Sequence, residues 1–166
     1  MKQFYANSLA QLFWGDAKEL DAIEDNTIDM VLADPSYGID YVTGHRQRSP
    51  KSVIATLERF DPIEADKTFP YTLMHEALYE VYRVLKQDTA IYVFTRWDSY
   101  HKLLPLVQEI FTVRNVLTWA KNNWSAGDLV GNYGYQTEII LFATKGKPKL
   151  LGEKRGTNLL PFGKGN

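Results

Sequence analysis

Thr27-Ile-Asp-Met-Val-Leu-Ala-Asp-Pro-Ser-Tyr-Gly38 joins a short apolar run to a polar tetrapeptide that follows it directly. The aliphatic side chains of residues 28–32 are typical of a buried strand. In open α/β sheets, ligands bind just outside the carboxyl ends of the strands, which is where residues 34–37 would lie. Pro35 fixes its own φ angle and favours an extended Asp34, so the carboxylate and the Tyr37 ring would keep a defined relation.

The tetrapeptide Asp34-Pro-Ser-Tyr37 has two interpretations from its residues alone. Asp at the first position and Pro at the second are favoured in a type I turn, and these turn preferences favour a plain connection. The alternative is a site for a planar heterocycle with an exocyclic amine. The Tyr37 ring would stack on the heterocycle, while Asp34 and a nearby backbone carbonyl would accept the two amino hydrogens.

The composition is ordinary for a globular protein, with 45% hydrophobic and 23% charged residues. The length of 166 residues predicts a single domain over 1–166. A net charge of −1 excludes a global field that would attract DNA, so any contact with nucleic acid must come from a local patch. The absence of cysteine excludes disulfides and thiolate metal sites, and we predict no metal site. The polar N-terminus and the lack of a long apolar run predict a cytoplasmic protein with no membrane contact.

Apolar spacing predicts strands and helices on both sides of residues 27–38. We expect a strand over 9–14 and a short helix over 17–23 before them. After them, the pattern predicts helices over 66–86 and 98–111, the second interrupted by Pro105, and strands over 90–95, 113–120 and 137–144. A helix between two strands supplies a crossover that makes the strands parallel, which indicates an α/β fold.

Two further segments are candidates for binding. The long loop over about 38–66 carries the densest basic cluster in the chain, formed by His45, Arg46, Arg48 and Lys51. It is either an arm that contacts DNA phosphates or a solvated loop. The segment 121–135 is rich in Gly, Asn and aromatic residues, which suits an adaptable binding loop, and we assign its Lys121, Asn123 and Trp124 to DNA contact. The tail over about 145–166 is expected to be irregular.

An ordered series of segments resembles the DNA amino-methyltransferases that modify adenine N6 or cytosine N4, in the permuted group whose catalytic half precedes the cofactor half. The matching pieces are Gly15-Asp16 with Leu20, residues 25–38, Tyr82-Arg-Val-Leu-Lys86, Ile91-Tyr-Val-Phe94, Trp119-Ala-Lys-Asn-Asn-Trp124 and Gln136-Thr-Glu-Ile-Ile-Leu-Phe-Ala-Thr-Lys-Gly146. The series covers most of the chain. It favours a functional origin for the tetrapeptide over a plain turn.

The resemblance implies a partial Rossmann-like, S-adenosylmethionine-dependent methyltransferase sheet with helices on both faces. It places Asp34, Pro35, Ser36 and Tyr37 at the catalytic positions, and Asp16 and Asp34 at positions that contact S-adenosylmethionine. The base would be extruded from the duplex and its amine would attack the methyl group directly, without a metal. An Asp at position 34 favours adenine over cytosine as the target.

Two departures from the family pattern limit this implication. Ser36 stands where the family has a second proline, and no Phe-x-Gly-x-Gly loop for the cofactor occurs, since Phe162-Gly-Lys-Gly165 has the wrong spacing. Strand 28–33 would then be a sheet edge, covered by the N-terminal segment, by a homo-oligomer or by a second chain. Three functions stay open: a DNA methyltransferase or its catalytic subunit, a catalytically impaired DNA-binding or regulatory module, and a structural oligomerisation partner.

Overall fold

The computed structural model describes residues 1–38, 68–125, 131, 133–148 and 155–162, and side chains are described in all of these except 124 and 125. In chain order the elements are β1 (Lys2–Ala6), β2 (Gln11–Trp14), β3 (Ile28–Ala33), α1 (Tyr71–Val84), β4 (Leu85–Thr95), α2 (Tyr100–Ile110), β5 (Thr112–Ser125), β6 (Tyr135–Lys145) and β7 (Leu159–Pro161). The basic cluster predicted in the loop over 38–66 lies outside the described residues.

Five strands form the main sheet in the order β3-β4-β6-β5-β7. Strand β3 pairs parallel to β4, with Ala33 opposite Val93, so the predicted parallel crossover is confirmed. Strand β6 runs antiparallel to both β4 and β5, and β7 pairs parallel to β5. Because β6 is antiparallel, its beginning lies at the edge where β3, β4 and β5 end.

The core lies between one face of this sheet and the two helices. Alternate side chains of β4 and β6 point to that face, where Ile91, Val93, Leu141 and Ala143 are buried. Leu78 of α1 and the buried Leu103 and Val107 of α2 belong to the same cluster. The α/β architecture is therefore confirmed, and within the described ranges both helices pack on this one face.

The N-terminal segment differs from its prediction. Residues 17–23 form successive turns instead of a helix, with Glu19 donating to the Asp16 carbonyl and Ile23 to the Leu20 carbonyl. The Asp16 carboxylate also accepts the Lys18 backbone N–H at 3.1 Å. Two apolar side chains are too few to favour a helix over these local bonds and the tertiary contacts of the segment. The predicted strand 9–14 is the second half of a hairpin, in which β1 and β2 pair antiparallel.

Two cations anchor the turn that leads into β3. Arg83 donates to the carbonyls of Leu20 and Ile23 at 2.9 and 3.1 Å and pairs with Asp25. Lys145, which is only 7% exposed, donates from Nζ to Asn26 Oδ1 at 2.9 Å and to the Tyr82 and Leu85 carbonyls at 2.7 Å. These bonds hold Asn26 at a φ of 54°, the left-handed conformation that Asn tolerates better than most residues.

Strand β3 is an edge strand within the described part of the chain, since it pairs there with β4 alone. The sequence predicts that the N-terminal segment or another chain covers this edge. The N-terminal hairpin pairs only with itself in the described residues, so the first of these two alternatives is not seen there. Met30 and Leu32 point away from the helices and are 52% and 64% exposed. An apolar edge of this kind invites pairing with another chain.

The tail also contains a regular element, because residues 159–161 form β7 where we predicted irregular chain. The bonds from Thr118 to the Asn158 carbonyl and from Phe162 to the Ala120 carbonyl extend that pairing. Neither helix among the described residues is long and apolar enough to span a bilayer.

Candidate functional site

The Tyr37 hydroxyl donates a hydrogen bond to the Asp34 carboxylate at the carboxyl end of β3. Asp34 is exposed and the Tyr37 ring is half-buried. The predicted pairing of a carboxylate and a flat ring at a strand exit is therefore present and open to solvent.

Contacts on both sides fix the backbone of the tetrapeptide. Ser99 Oγ, just before α2, donates to the Tyr37 carbonyl at 3.0 Å. Gly38 follows with a φ of 67°, and a Cβ there would overlap the backbone nitrogen of Phe69. Only glycine fits this position, because any side chain would clash with fixed backbone as well as strain the φ angle. Pro35 and Ser36 are half-buried between these anchors.

The surroundings of Tyr37 hold its hydroxyl in the neutral form. Burial raises the pKa of Tyr37 well above its usual range, and the hydrogen bond and charge of Asp34 raise it further. The charge of Glu138 acts in the same direction, while that of Arg96 opposes it. Tyr37 is therefore a hydrogen-bond donor at any physiological pH, and Glu138 and Arg96 lie close enough to affect it.

A cleft of about 250 Å³ opens beside Tyr37, and Arg96, Trp97, Lys121, Asn123, Tyr135, Thr137 and Glu138 line it. Arg96 and Trp97 follow β4, Lys121 and Asn123 belong to β5, and the others begin β6. These segments meet because the carboxyl ends of β4 and β5 lie beside the start of the antiparallel β6. The cleft therefore lies at the same sheet edge as Asp34.

The charges of the cleft are paired within it or beside it. Lys121 Nζ forms an ion pair with Glu138 and lies 5.1 Å from the centre of the Trp119 ring. Arg96 binds both carboxylate oxygens of Asp98, with its closer contact at 2.9 Å. The Gln136 side chain donates to the Lys121 carbonyl at 3.0 Å, which fixes the strand that carries the ion pair. The cleft is polar but has little net charge.

The predicted DNA-binding residues have different outcomes. The structure brings Lys121 and Asn123 into the cleft, and Trp124 lies in β5 with its side chain outside the described set. His45, Arg46, Arg48 and Lys51 lie outside the described residues.

The predicted cofactor residue Asp16 is exposed in the turn after β2, where its carboxylate lies 3.5 Å from Lys18 Nζ. No hydrogen bond or ion pair among the described residues joins it to Asp34.

Sequence reasoning missed five of the side chains that line the cleft: Arg96, Trp97, Tyr135, Thr137 and Glu138. Arg96 and Trp97 come directly after the strand over 90–95, the position at which α/β sheets bind ligands, so strand ends alone could have indicated them. Glu138 carries no such signal, because it begins a strand and becomes part of the edge only through antiparallel pairing. In the described ranges, no group of three His, Asp or Glu side chains could hold a metal ion.

The family model described as DNA methylase (N6_N4_Mtase) matches residues 28–162, which contain both the tetrapeptide and the cleft. The chain belongs to this DNA methylase family. Two curated relatives are type II methyltransferases. M2.LlaDCHI of Lactococcus lactis subsp. cremoris is 27% identical over 154 residues, which are 89% of this chain and 55% of the relative. M2.MboI of Moraxella bovis is 24% identical over 127 residues, which are 74% of this chain and 44% of the relative.

Two solved structures support the fold of this chain. The PvuII DNA methyltransferase (cytosine-N4-specific) aligns with a TM-score of 0.62 at 15% identity, covering 94% of this chain and 58% of that one. The complex of M1.HpyAVI with SAM aligns with a TM-score of 0.52 at 17% identity, covering 90% of this chain and 64% of that one. The chain spans about half the length of the two curated relatives, 55% of one and 44% of the other.

Proposed function

We propose that this chain acts in a DNA methyltransferase that transfers a methyl group from S-adenosylmethionine to the exocyclic amine of an extruded base. The observation that carries the proposal is the placement of the Asp34 carboxylate and the Tyr37 ring together at the open carboxyl end of β3. Membership of the DNA methylase family supports the same reaction. A cytoplasmic location, where DNA would be accessible, is part of the proposal.

Asp34 would accept an N–H of the base's amine, and the Pro35 carbonyl would accept the other. Both acceptors raise electron density on the amine nitrogen as positive charge develops there, so they stabilise the transition state more than the ground state. The Tyr37 ring would stack on the base, which contributes about 1–3 kcal/mol toward the cost of unstacking it from the duplex. The half-buried Ser36 would help to position these groups.

Adenine N6 is the proposed target, because an aspartate stands at the acidic position. The similar PvuII enzyme is cytosine-N4-specific by its name, but at 15% identity it bears on the fold alone. Methylation assays on duplexes that contain only one of the two amines would separate the targets.

S-adenosylmethionine would supply the methyl group as an electrophile. The residues present fit only part of this cofactor: Asp34 is an exposed carboxylate at the edge of the sheet, where the cofactor's positive charge would be favoured. We assign Asp16 and Asp34 to cofactor contact. These 166 residues contain no Phe-x-Gly-x-Gly loop that would supply the rest of the cofactor's binding surface.

We therefore also propose that a second chain, or a second copy of this one, covers the edge of β3 over residues 28–33. The exposed Met30 and Leu32 would be buried by that contact. Size-exclusion chromatography with light scattering should give a mass above 19.1 kDa, or a complex with a co-purified subunit. Hydrogen exchange should show protection at residues 28–33.

Leu32→Lys should weaken this association, because it places a charge in the buried contact. Leu9→Lys changes a leucine of the hairpin turn that is more exposed than Leu32, and it should leave the mass unchanged. A monomer at all concentrations, with fast exchange over 28–33, would contradict the covered edge.

The Asp34→Ala variant tests the reaction itself. It should reduce transfer of a labelled methyl group from S-adenosylmethionine to duplex DNA by at least about 100-fold, the usual contribution of a positioned acceptor in a transition state. Glu76→Ala removes an exposed carboxylate of α1, away from this edge of the sheet, and should keep wild-type transfer. Wild-type rates in the Asp34 variant would refute the role of that carboxylate.

A catalytically impaired DNA-binding or regulatory module is the second candidate. Two features favour this candidate: Ser36 replaces a rigid proline, and the glycine loop is missing. The first loosens a part that catalysis needs, and the second removes one. Calorimetric titration distinguishes the candidates: the methyltransferase binds S-adenosylmethionine and then a duplex, whereas the module binds the duplex alone.

A further inference from the structure

We propose that the cleft beside Tyr37 is a second nucleobase site, which binds the base next to the one that is methylated. The inference rests on the proposed function and adds a determinant of sequence context to it. Glu138 and Lys121 would read the edge of the neighbouring base, and Trp97 would stack on its face.

The cleft is distinct from the position where the methylated base would lie. Its lining contains neither Asp34 nor Tyr37. Two contacts nevertheless place it beside Tyr37: the Ser99 N–H donates to the carbonyl of the lining residue Arg96 at 3.2 Å, and Ser99 Oγ donates to the Tyr37 carbonyl at 3.0 Å. A ligand in the cleft would thus lie beside a base stacked on Tyr37, as the neighbouring nucleotide of one strand does.

The charge pattern of the cleft favours a neutral heterocycle over a phosphate. Proteins bind phosphates through unpaired cations, whose contacts release counterions. Here Glu138 neutralises Lys121, and Asp98 neutralises Arg96. The pair of Lys121 and Glu138 instead presents a donor and an acceptor side by side. Thr137 adds a hydroxyl that can serve as either. Base edges carry donors and acceptors in this mixed pattern.

Trp97 supplies the stacking surface. Its side chain lines the cleft although the residue is 63% exposed, so a large apolar ring stands at the opening without cover. Exposed rings next to polar groups are the surfaces on which extruded or single-stranded bases stack. Indole also provides the largest stacking face among the side chains.

The experiment measures binding of labelled single-stranded DNA nonamers by fluorescence anisotropy. In one set of nonamers the central base is adenine and the bases on either side of it are varied through all four. In a second set only the central base is varied. The wild-type protein should discriminate among bases at one neighbouring position by about 5- to 150-fold, the range for a good edge contact. Glu138→Gln should reduce that discrimination to about twofold or less and leave the salt dependence unchanged. Thr137 is exposed and does not belong to the ion pair, so Thr137→Ala should also reduce the discrimination without disturbing that pair.

Trp97→Ala should weaken binding of all the nonamers by about 5- to 150-fold, because stacking does not depend on the base. Glu109→Gln is the matched control for Glu138→Gln, since Glu109 is an exposed carboxylate on α2 that contacts His75. It should leave every affinity unchanged. Asp34→Ala should abolish methyl transfer and keep the discrimination at the neighbouring position, which separates this site from the proposed reaction.

Three results would overturn the assignment. If Glu138→Gln alters preference only at the central base, the cleft binds the methylated base itself. If it strengthens binding to all nonamers and changes the salt dependence, the cleft binds a phosphate. If Glu138→Gln and Thr137→Ala both fold, as thermal melting would verify, and both keep wild-type discrimination, the ion pair is structural only.

Discussion

Tyr37 is the residue whose ionisation the fold changes most clearly, and the shift gives a pH prediction. Because its pKa is raised, the folded state favours the neutral phenol over the phenolate. The resulting stability is fully present below the unfolded-state pKa of about 10 and is lost as the pH rises above that value. Between pH 9 and 11.5, approximately, the unfolding free energy of the wild type should therefore fall more steeply than that of Tyr37→Phe.

Chemical denaturation over that pH range measures the difference. Tyr133→Phe, at an almost fully exposed tyrosine, should keep the wild-type slope. Parallel curves for wild type and Tyr37→Phe would show that neither the burial of Tyr37 nor its contact with Asp34 persists in solution.

The pairing of Asp34 with Tyr37 could be predicted from sequence because four consecutive residues specify it. Pro35 restricts the backbone between them, and an apolar strand places them at its carboxyl end. The catalytic role of these residues stays a prediction. Glu138 could not be predicted in the same way, because its position depends on the register of β6 against β4 and β5, which no local pattern specifies.

Among the secondary-structure elements, β6 ends in a buried cation that secures the entry to β3. Lys145→Met replaces the methylene stem by an apolar chain of similar length but removes the charge and the three hydrogen bonds from Nζ. The Tyr82 and Leu85 carbonyls would then lack that donor inside the protein. We expect a loss of about 1–3 kcal/mol in unfolding free energy.

Urea denaturation of Lys145→Met and of Lys147→Met makes the comparison. Lys147 is exposed two residues further on, and its variant should stay within about 0.5 kcal/mol of the wild type. Equal stabilities for the two variants would mean that the contacts of Lys145 contribute nothing.

The helices and inner strands lie where they were predicted because each has a long apolar pattern, but β4 already begins at Leu85 instead of 90, and β5 continues to Ser125 instead of 120. Helix α1 lies inside the predicted range 66–86, and α2 lies inside 98–111 with Pro105 in its interior. The predictions for the short elements were wrong: residues 17–23 form turns instead of a helix, and β7 lies in the tail that was expected to be irregular. In both cases tertiary contacts, such as the bonds from Arg83 to the 20–23 carbonyls, outweigh a weak local preference.

For the molecule as a whole, the net charge of −1 makes DNA binding depend on local cations. If Arg46 and Arg48 contact phosphates, the double variant Arg46→Gln/Arg48→Gln should reduce the slope of log affinity against log salt by about 0.9 for each phosphate that is no longer neutralised. Filter-binding titrations from low to high salt measure this slope.

The matched control removes two exposed lysines elsewhere, in Lys2→Gln/Lys147→Gln, and should keep the wild-type slope. If the two double variants behave alike, the basic segment is a solvated loop with no phosphate contact.

The tight packing of Gly38 against Thr68 and Phe69 has a consequence for how members of this family can differ in sequence. The backbone at Gly38 is in contact with the backbone of Thr68 and Phe69, so the chain between them begins and ends at the same point. When the two ends of a flexible segment are held together, each doubling of its length costs only about 0.6 kcal/mol. We expect insertions, deletions or whole replacements between residues 38 and 68 to leave the backbone of residues 34–38 in place.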